Sequence, residues 1–272
     1  MTKKLPAIPY VVWMAIFVVA PLVLVVVYAL TTPDGQVTLA NMLEARKFLG
    51  VFGRSFGLAL IATVICLILG YPVAYAFSRE GERFRSVAMM LIMLPRWMNF
   101  LLRTYAWVTI IENTGLLNQV LGFLHLPKLH IINTPAAVVL GMVYDYLPFM
   151  ILPIYSVIIK LDGSLIEAAR DLGADSYRVF TKIIFPLSIP GVISGVTMVF
   201  VPSVSTFVIS KLLGGGKDML VGDLIELQFL GGAGAYNPQL GSAVALVMMI
   251  IILICMSLMN RFGGGDEEVV LL

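Results

Sequence analysis

Charge is the scarcest property of this sequence. Only 12 % of its 272 residues are charged, whereas 60 % are hydrophobic. A soluble globular domain carries about 25 % charged residues. The composition therefore excludes a water-soluble protein and, with it, a nucleic-acid-binding one, and it indicates a chain that lies in a lipid bilayer.

Cysteine and histidine are also rare. Cys66 and Cys255 lie in separate apolar runs without a second cysteine nearby, which excludes a disulfide framework or a CxxC site. Both cysteines fit small core or lipid-facing residues. His125 and His130 are five residues apart beside Lys128, a poor spacing for a metal pair on a helix. We therefore predict no metal site.

The motifs of catalysis and nucleotide binding are missing from the sequence. It contains no HExxH motif and no recognisable Ser/His/Asp set, so it predicts no catalytic residues and no enzyme. It also lacks GxxxxGK[ST], the loop that binds ATP phosphates. We expect no cofactor in this chain, and any ATP-driven work must draw on another subunit.

Long apolar runs are abundant instead. Six runs approach the ~20 residues that a helix needs to cross ~30 Å of hydrocarbon. They are too long and too uniformly apolar for barrel strands, and a chain in lipid must pair its backbone groups internally. The runs are Tyr10–Leu30, Ser55–Phe77, Val87–Ile111, Ala136–Ile159, Leu187–Ile209 and Leu240–Met259. They predict an all-α membrane protein with about six transmembrane helices in a single domain, residues 1–272.

The first run bears on processing of the N-terminus. Tyr10–Leu30 is longer than the apolar core of a secretory signal, which has about 7–15 residues. We interpret it as an uncleaved first helix, with a cleaved signal as the alternative.

Basic residues set the expected orientation, because Lys and Arg accumulate in cytoplasmic loops. With a cytoplasmic N-terminus, ten basic residues lie inside: Lys3, Lys4, Arg79, Arg83, Arg85, Lys160, Arg170, Arg178, Lys182 and Arg261. Six lie outside: Arg46, Lys47, Arg54, Lys128, Lys211 and Lys217. The chain is thus predicted to be multi-pass with cytoplasmic termini. The glycine-rich outer loop 210–239 is either a cover over a pore mouth or a flexible linker, and the short acidic tail is expected to be disordered.

The most polar stretch runs from 161 to 187. Ser164-x-x-Glu167 has the form of a capping box that begins a helix, and Gly173 suits its C-terminus. Leu165, Ala168, Ala169 and Leu172 fall on one side of that helix. Asp175 or Ser176 would cap a second helix, which Pro186 closes. The pattern predicts a helix–turn–helix across the membrane face, or alternatively an interfacial helix that only anchors a loop.

This stretch carries a resemblance to a known family. Glu167-Ala168-Ala169, three residues, Gly173, nine residues, Ile183, one residue and Phe185-Pro186 resembles the EAA loop of ABC importer permeases, with Phe185 in place of leucine. In that family the short helix docks on a cytoplasmic ATPase subunit. The resemblance implies a type I ABC permease architecture with a coupling loop at about 161–187. It assigns ATPase coupling to five residues: Glu167, Ala168, Ala169, Asp171 and Gly173.

Four longer segments are similar to the first permease subunit of spermidine/putrescine importers: LALIATVICLILGYPVAYAFSR, LPRWMNFLLRTYAW, GMVYDYLPFMILPIY and LDGSLIEAARDLGA. This resemblance implies half of a polyamine path in a bacterial inner membrane, surrounded by lipid. It also implies a second permease subunit, an ATPase dimer that binds ATP and Mg²⁺, and an extracytoplasmic polyamine-binding protein. The alternatives are another solute, such as thiamine, iron(III) or an oxyanion, or a membrane assembly subunit without a substrate path.

Asp145 lies inside a predicted span between Tyr144 and Tyr146. A carboxylate beside aromatic faces suits a polycation, and we assign Trp97 and Tyr105 to the same candidate path. The alternative is that Asp145 pairs with a structural arginine of the third span, and that the aromatics form an ordinary interface belt. The arginines concerned, Arg96 and Arg103, are seven residues apart, which would place them on one helix face.

Two further features refine these expectations. Lys211 stands where the related permeases typically carry an acid, so it would repel a polyamine at the outer mouth unless nearby acids compensate. The nearby acids are Asp218, Asp223 and Glu226, and the alternative is that they are solvated surface residues. Gly191-x-x-x-Gly195 permits close helix packing, within the chain or against the second permease.

Overall fold

The computed structural model describes residues 8–216, 218–232, 234 and 236–262. Two predictions from the sequence concern residues that lie outside the described ones: the membrane side of Lys3, Lys4 and Lys217, and the disorder of the acidic tail. Within the described ranges the chain forms eleven helices and, besides them, one isolated β-bridge between Thr31 and Val37. The helices are α1 (Pro9–Ala29), α2 (Ala40–Arg79), α3 (Glu82–Met93), α4 (Phe100–Ile111), α5 (Leu116–Phe123), α6 (Pro135–Ile158), α7 (Gly163–Asp171), α8 (Ser176–Ser205), α9 (Val208–Gly214), α10 (Val221–Leu230) and α11 (Pro238–Phe262).

Five of these helices are long and apolar enough to cross a membrane: α1, α2, α6, α8 and α11. Three of them contain local irregularities, of which that in α8 is described below. A π-helical segment, Ala15–Val19, interrupts α1, and a 3₁₀ turn, Arg46–Phe48, lies near the start of α2. The all-α membrane fold is confirmed.

The predicted third span, Val87–Ile111, is not one continuous helix, so that prediction was wrong. The chain leaves α3 through a 3₁₀ turn, Leu94–Trp97, and Met98 is extended. Asn99 then begins α4, because its side-chain oxygen accepts a hydrogen bond from the Leu101 amide at 2.8 Å. Pro95 has no amide hydrogen to continue α3, and the Asn99 cap starts a separate helix.

Packing nevertheless carries the α3–α4 pair from one end of the bundle to the other. At the end that holds α7, Ile92 of α3 packs on a cluster that includes Ala74 and Ile158. At the opposite end, Ile111 of α4 packs with Leu213 and Leu220. The two ends are called below the α7 end and the opposite end.

The centre of the bundle is the contact of α8 with α6. A Cβ added at Gly191 would lie 2.8 Å from the Pro153 carbonyl oxygen, and one at Gly195 would lie 2.9 Å from the Met150 sulfur. Only glycine lets the two backbones approach this closely. The Gly191–Gly195 motif therefore packs within the chain.

Pro186 does not end a helix, which corrects the predicted helix–turn–helix. The chain is helical without interruption from Ser176 to Ser205, so the second half of the 161–187 stretch is the beginning of a spanning helix. A π-helical turn, Phe180–Ile184, precedes Pro186. It widens the helix at the point where the proline ring would otherwise meet a backbone carbonyl.

The outer loop 210–239 is folded in its described parts, so the flexible-linker alternative was wrong. Asp223 accepts hydrogen bonds from the Leu220 amide and the Ser210 hydroxyl, both at 2.8 Å. The Val221 amide donates to Ser55 Oγ at 2.8 Å, which ties α10 to α2. Leu224 of α10 is also buried in a hydrophobic cluster at this end of the bundle.

The first helix is the least enclosed of the five. Its contacts run along α11, where Ala29 packs with Ala243 and Leu246. Most of the remaining α1 side chains are exposed in this chain. Of the two cysteines, Cys66 is buried and Cys255 is partly buried, and both are free, as expected.

Candidate coupling surface and substrate path

The short helix α7 begins two residues earlier than the capping box predicted. Asp162, not Ser164, is its N-cap, and Asp162 Oδ1 accepts from the Ser164 amide at 2.9 Å. This hydrogen bond lowers the pKa of Asp162 below its ordinary value, because it favours the ionised carboxylate. The prediction of a helix at this place is confirmed, and the assignment of its cap was wrong.

The end of α7 follows the sequence prediction. Gly173 has a left-handed φ of +81°. The Ala174 amide donates to the Ala169 carbonyl at 3.0 Å, and the Gly173 amide donates to the Arg170 carbonyl at 2.8 Å. This pair of hydrogen bonds is a Schellman motif, which requires a residue that tolerates positive φ.

The two faces of α7 differ in exposure. Ile166 and Ala169 pack into the hydrophobic cluster at the α7 end. The adjoining stripe of the helix carries exposed apolar side chains, among which Leu172 is 90 % exposed and Leu165 is 48 % exposed. Small Ala168 lies between them on the same face. Exposed apolar residues clustered on a short helix indicate a protein-binding surface.

The five residues assigned to coupling divide between these faces. Glu167, Ala168, Asp171 and Gly173 are exposed, whereas Ala169 is half-buried against its own chain. Ala169 therefore seats α7 on the bundle, and it lies one helical turn from Leu165, on the side of the helix that the sequence predicted.

Asp145 forms a buried ion pair with Arg103. The distance from Arg103 Nη2 to Asp145 Oδ1 is 2.7 Å, and the two side chains are 11 % and 4 % exposed. Arg103 Nη1 also donates to the Pro95 carbonyl at 2.9 Å. One guanidinium thus joins α6, α4 and the turn between α3 and α4. This is the structural pairing that the sequence left open as the alternative for Asp145.

The two tyrosines beside Asp145 contact different neighbours. The Tyr144 ring meets Trp107 at a centroid distance of 5.2 Å, and the Arg103 guanidinium carbon lies 5.8 Å from the Tyr144 ring centroid. The Tyr146 hydroxyl instead points to the Pro202 carbonyl of α8, at 3.5 Å. The structure therefore places Tyr144 on the α4 side of α6 and Tyr146 on the α8 side.

Arg96 and Arg103 do not share a helix face, which corrects that expectation. Arg96 lies in the 3₁₀ turn, and its guanidinium carbon is 3.9 Å from the centroid of the Phe149 ring. Arg103 lies in α4 and pairs with Asp145. The extended residue Met98 separates the 3₁₀ turn from α4, so the two arginines do not belong to one continuous helix.

Trp97 and Tyr105 lie on the surface of this chain. Trp97 is 83 % exposed and Tyr105 is 53 % exposed. The structure does not bring them into the buried group around Asp145. A contact with substrate through these two rings stays a prediction.

A cavity of about 700 Å³ lies between α2, α4 and α6. Its lining is almost wholly apolar and includes Leu58, Ile61, Ile65, Trp107, Val139 and Tyr144. Such a lining offers little to a polycation. Sequence reasoning missed this cavity, because its residues come from three separate runs.

At the opposite end, Lys211 forms an ion pair with Glu226. Asp218 pairs with Arg54 at 2.9 Å, and Asp223 is held by Ser210 and Leu220. Burial raises the pKa of Asp223 above its ordinary value. All three candidate acids are thus engaged with groups of this chain, and the charge of Lys211 is compensated by Glu226.

The described residues contain no group of three or more His, Cys, Asp or Glu side chains arranged to hold a metal ion.

Comparison with known proteins identifies the family. Residues 67–263 match the family described as "Binding-protein-dependent transport system inner membrane component", and the chain belongs to this family. The Spermidine/putrescine transport system permease protein PotB of Haemophilus influenzae is 38 % identical over 250 residues, which cover 88 % of this chain and 86 % of the relative. The PotB protein of Escherichia coli K12 is 37 % identical over 251 residues, covering 88 % of this chain and 90 % of the relative.

Solved structures show the same fold. A bacterial ABC transporter involved in the import of the acidic polysaccharide alginate has a chain with a TM-score of 0.79 at 15 % identity, covering 94 % of this chain and 92 % of that one. A chain of the MetNI methionine ABC transporter has a TM-score of 0.59 at 16 % identity, covering 79 % of this chain and 94 % of that one. The type I ABC permease architecture is confirmed. The chain is a multi-pass inner-membrane transport component and not an enzyme.

Proposed function

We propose that this chain is the permease subunit that forms half of the translocation path for spermidine or putrescine in an ATP-binding-cassette importer. The observation that carries the proposal is the similarity to PotB proteins, which extends over 88 % of this chain at 37–38 % identity. The similarity therefore covers much more of the chain than the motif at 161–187 alone.

The charge arrangement supports a cationic cargo. Three cations argue most directly against a polycation: Lys211, Arg103 and Arg96. Lys211 and Arg103 are paired with carboxylates of this chain, Glu226 and Asp145 respectively, whereas Arg96 stacks on the Phe149 ring. Paired cations neither repel an amine strongly nor attract an anion strongly. The alginate importer shares the fold alone, so its acidic cargo does not transfer to this chain.

The remaining subunits follow from the same proposal. We assign a PotC-like second permease subunit, a dimer of PotA-like ATPase subunits that binds ATP and Mg²⁺, and a PotD-like binding protein outside. One solved relative of this fold is an alginate transporter in complex with a substrate-bound periplasmic protein. That complex supports a docking role for the outer surface of the present chain.

Coupling to ATP hydrolysis is assigned to α7. Its exposed face carries Leu165, Ala168 and Leu172, and its buried face is seated by Ile166 and Ala169 on α2, α6 and α8. A partner that moves the exposed face would therefore move the ends of three spanning helices. This assignment puts the α7 end in the cytoplasm, together with both termini.

Uptake by reconstituted complexes tests the proposal. Proteoliposomes that contain both permeases and the ATPase, supplied with the binding protein, should accumulate labelled spermidine or putrescine only with internal ATP. Normal ATP hydrolysis without polyamine uptake would point to another solute. Unchanged uptake by a complex that lacks this chain would make it an assembly subunit.

A further inference from the structure

A second, smaller cavity of about 210 Å³ lies where α4 and α6 meet the junction between α8 and α9. Its lining includes Phe100, Tyr146, Pro202, Ser205, Thr206 and Phe207. It shares no lining residue with the large apolar cavity, and it is the more polar of the two. Aromatic rings, hydroxyls and a helix end therefore converge at one place.

The cavity lies near the middle of the membrane. Phe100 and Tyr146 are each eleven residues from the end of their helix at the opposite end, Ile111 and Pro135 respectively. At 1.5 Å per residue this is about 16 Å, half of the ~30 Å hydrocarbon thickness. Helix breaks at this depth occur where backbone lines a cavity or is buried in protein.

The end of α8 supplies carbonyl groups to this cavity. The last four carbonyls of an α-helix have no partner within the helix, and they carry a partial negative charge. Thr206 is extended, and α9 starts afresh at Val208. The Pro202 carbonyl is approached by the Tyr146 hydroxyl at 3.5 Å and the Ser205 hydroxyl at 3.4 Å, both at the long limit of a hydrogen bond.

The carbonyls of Ser205 and Thr206, three and four residues farther along the chain, lie against α10 instead. A Cβ placed on Gly222 would be 2.6 Å from the carbonyl oxygens of both Ser205 and Thr206. The start of α10 thus packs directly on this part of the α8–α9 junction. The Pro202 carbonyl is instead approached by the hydroxyls of Tyr146 and Ser205, two residues that line the cavity.

The ion pair beside the cavity is neutral as a whole. Asp145 precedes Tyr146 in α6 and is paired with Arg103, whose guanidinium carbon lies 5.9 Å from the Phe100 ring centroid. The lining itself contains no charged side chain, so an anion would meet no counter-charge there. An organic cation would meet ring faces, hydroxyl oxygens and a carbonyl, all of which favour positive charge.

We propose that this cavity binds one alkylammonium group of a linear polyamine as it crosses the membrane. The cargo in this statement rests on the proposed function, whereas the preference for a cation rests on the lining residues. Sites that enclose a whole ligand measure about 300–1,000 Å³. The smaller volume here fits one end of an extended amine, and the remainder of the molecule lies outside the cavity.

Charge-selective labelling tests the site without relying on transport. In membranes that hold the full complex, Ser205→Cys should react faster with a trimethylammonium-ethyl methanethiosulfonate than with the sulfonatoethyl reagent, after correction for their reactivity with a free thiol. We expect about a tenfold ratio, or about 1.4 kcal/mol. The unmodified chain, with Cys66 and Cys255, gives the background.

Protection by ligands identifies the cation. Putrescine or spermidine should slow the labelling of Ser205→Cys, whereas NaCl at equal ionic strength should not. Equal rates for both reagents, a faster anionic reagent, or equal protection by NaCl would each overturn the proposal. If the wild-type complex takes up no polyamine but selective, amine-protected labelling persists, the proposed function fails and the site remains.

Uptake kinetics provide the second readout. Tyr146→Phe and Thr206→Val each remove a hydroxyl from the cavity with little change of shape. Each should raise the KM for polyamine uptake, and this fold-change should be several times larger than the fold-decrease in the rate of ATP hydrolysis. The matched controls are Tyr155→Phe in α6 and Thr197→Val in α8, which lie outside the cavity. Equal KM values for site and control variants would contradict the assignment.

Discussion

At the scale of single residues, the buried Arg103–Asp145 pair fixes how α4 meets α6. Taking two charges out of water is expensive, and a pair repays that cost only when both partners are present. Arg103 also caps the helix break through the Pro95 carbonyl. Arg103 therefore has a structural role at this helix contact, and that role is compatible with a path for cations.

Removing one partner of this pair should be far worse than removing both. Arg103→Met leaves the Asp145 carboxylate buried alone and should destabilise the chain by about 3–5 kcal/mol. The double variant Arg103→Met/Asp145→Leu should recover most of that loss, because no isolated charge remains. Thermal unfolding of the purified complex measures the difference. Additive losses in the double variant would show that the two groups do not interact in the membrane.

Lys211 and Glu226 form a more exposed pair, with side chains 49 % and 23 % exposed. Lys211→Glu places a third carboxylate beside Glu226 and Asp223, and should slow assembly or uptake. The swap Lys211→Glu/Glu226→Lys should restore both, with a stability change of only about 0–1 kcal/mol. The comparison Lys47→Glu, at an exposed pair with Glu44, should be nearly silent. If the swap stays as impaired as Lys211→Glu, the lysine acts through something other than Glu226.

At the scale of elements, the sequence predicted features that depend on backbone geometry near one residue. It did not predict contacts between residues that are far apart in the chain. Gly173 marked the end of α7, and Gly191 with Gly195 marked close packing, because both depend on backbone geometry near one residue. The prediction that a helix ends at Pro186 was wrong, since the π turn before this proline lets α8 continue. The Lys211–Glu226 pair joins α9 to α10, and no periodicity in the sequence announces that contact.

The stop of α7 at Gly173 gives a prediction at this scale. Gly173→Ala meets no neighbour within 4 Å, so its whole cost is the left-handed backbone, about 1–2 kcal/mol for a residue with a Cβ. We expect α7 to fray and polyamine uptake per ATP hydrolysed to fall, while the complex still assembles. Gly173→Asn should lose less, because asparagine tolerates positive φ.

Gly163→Ala is the matched control for this variant. Gly163 lies in the first turn of the same helix, also has no neighbour within 4 Å, and has no positive φ. Alanine there should leave the coupling ratio unchanged. A similar fall in both variants would mean that flexibility of α7, rather than its C-terminal geometry, controls coupling.

At the scale of the whole molecule, the chain combines five spanning helices with two breaks between successive helices. The chain breaks between α3 and α4 and again between α8 and α9, and the second break adjoins the small cavity near the middle of the membrane. The α7 helix sits on α2, α6 and α8 at one end, and the start of α10 packs on the break between α8 and α9. The helices α6 and α8 thus connect α7 to the small cavity, because they contact α7 and also line that cavity.

This arrangement requires the α7 end to face the cytoplasm, and cysteine accessibility tests that orientation. Leu172 is 90 % exposed at the α7 end, and Leu39 is 66 % exposed between α1 and α2 at the opposite end. In intact cells, a membrane-impermeant maleimide should label Leu39→Cys and spare Leu172→Cys. It should label both once the membrane is permeabilised. The reverse pattern would turn the chain over and remove α7 from the reach of a cytoplasmic ATPase, whatever the cargo.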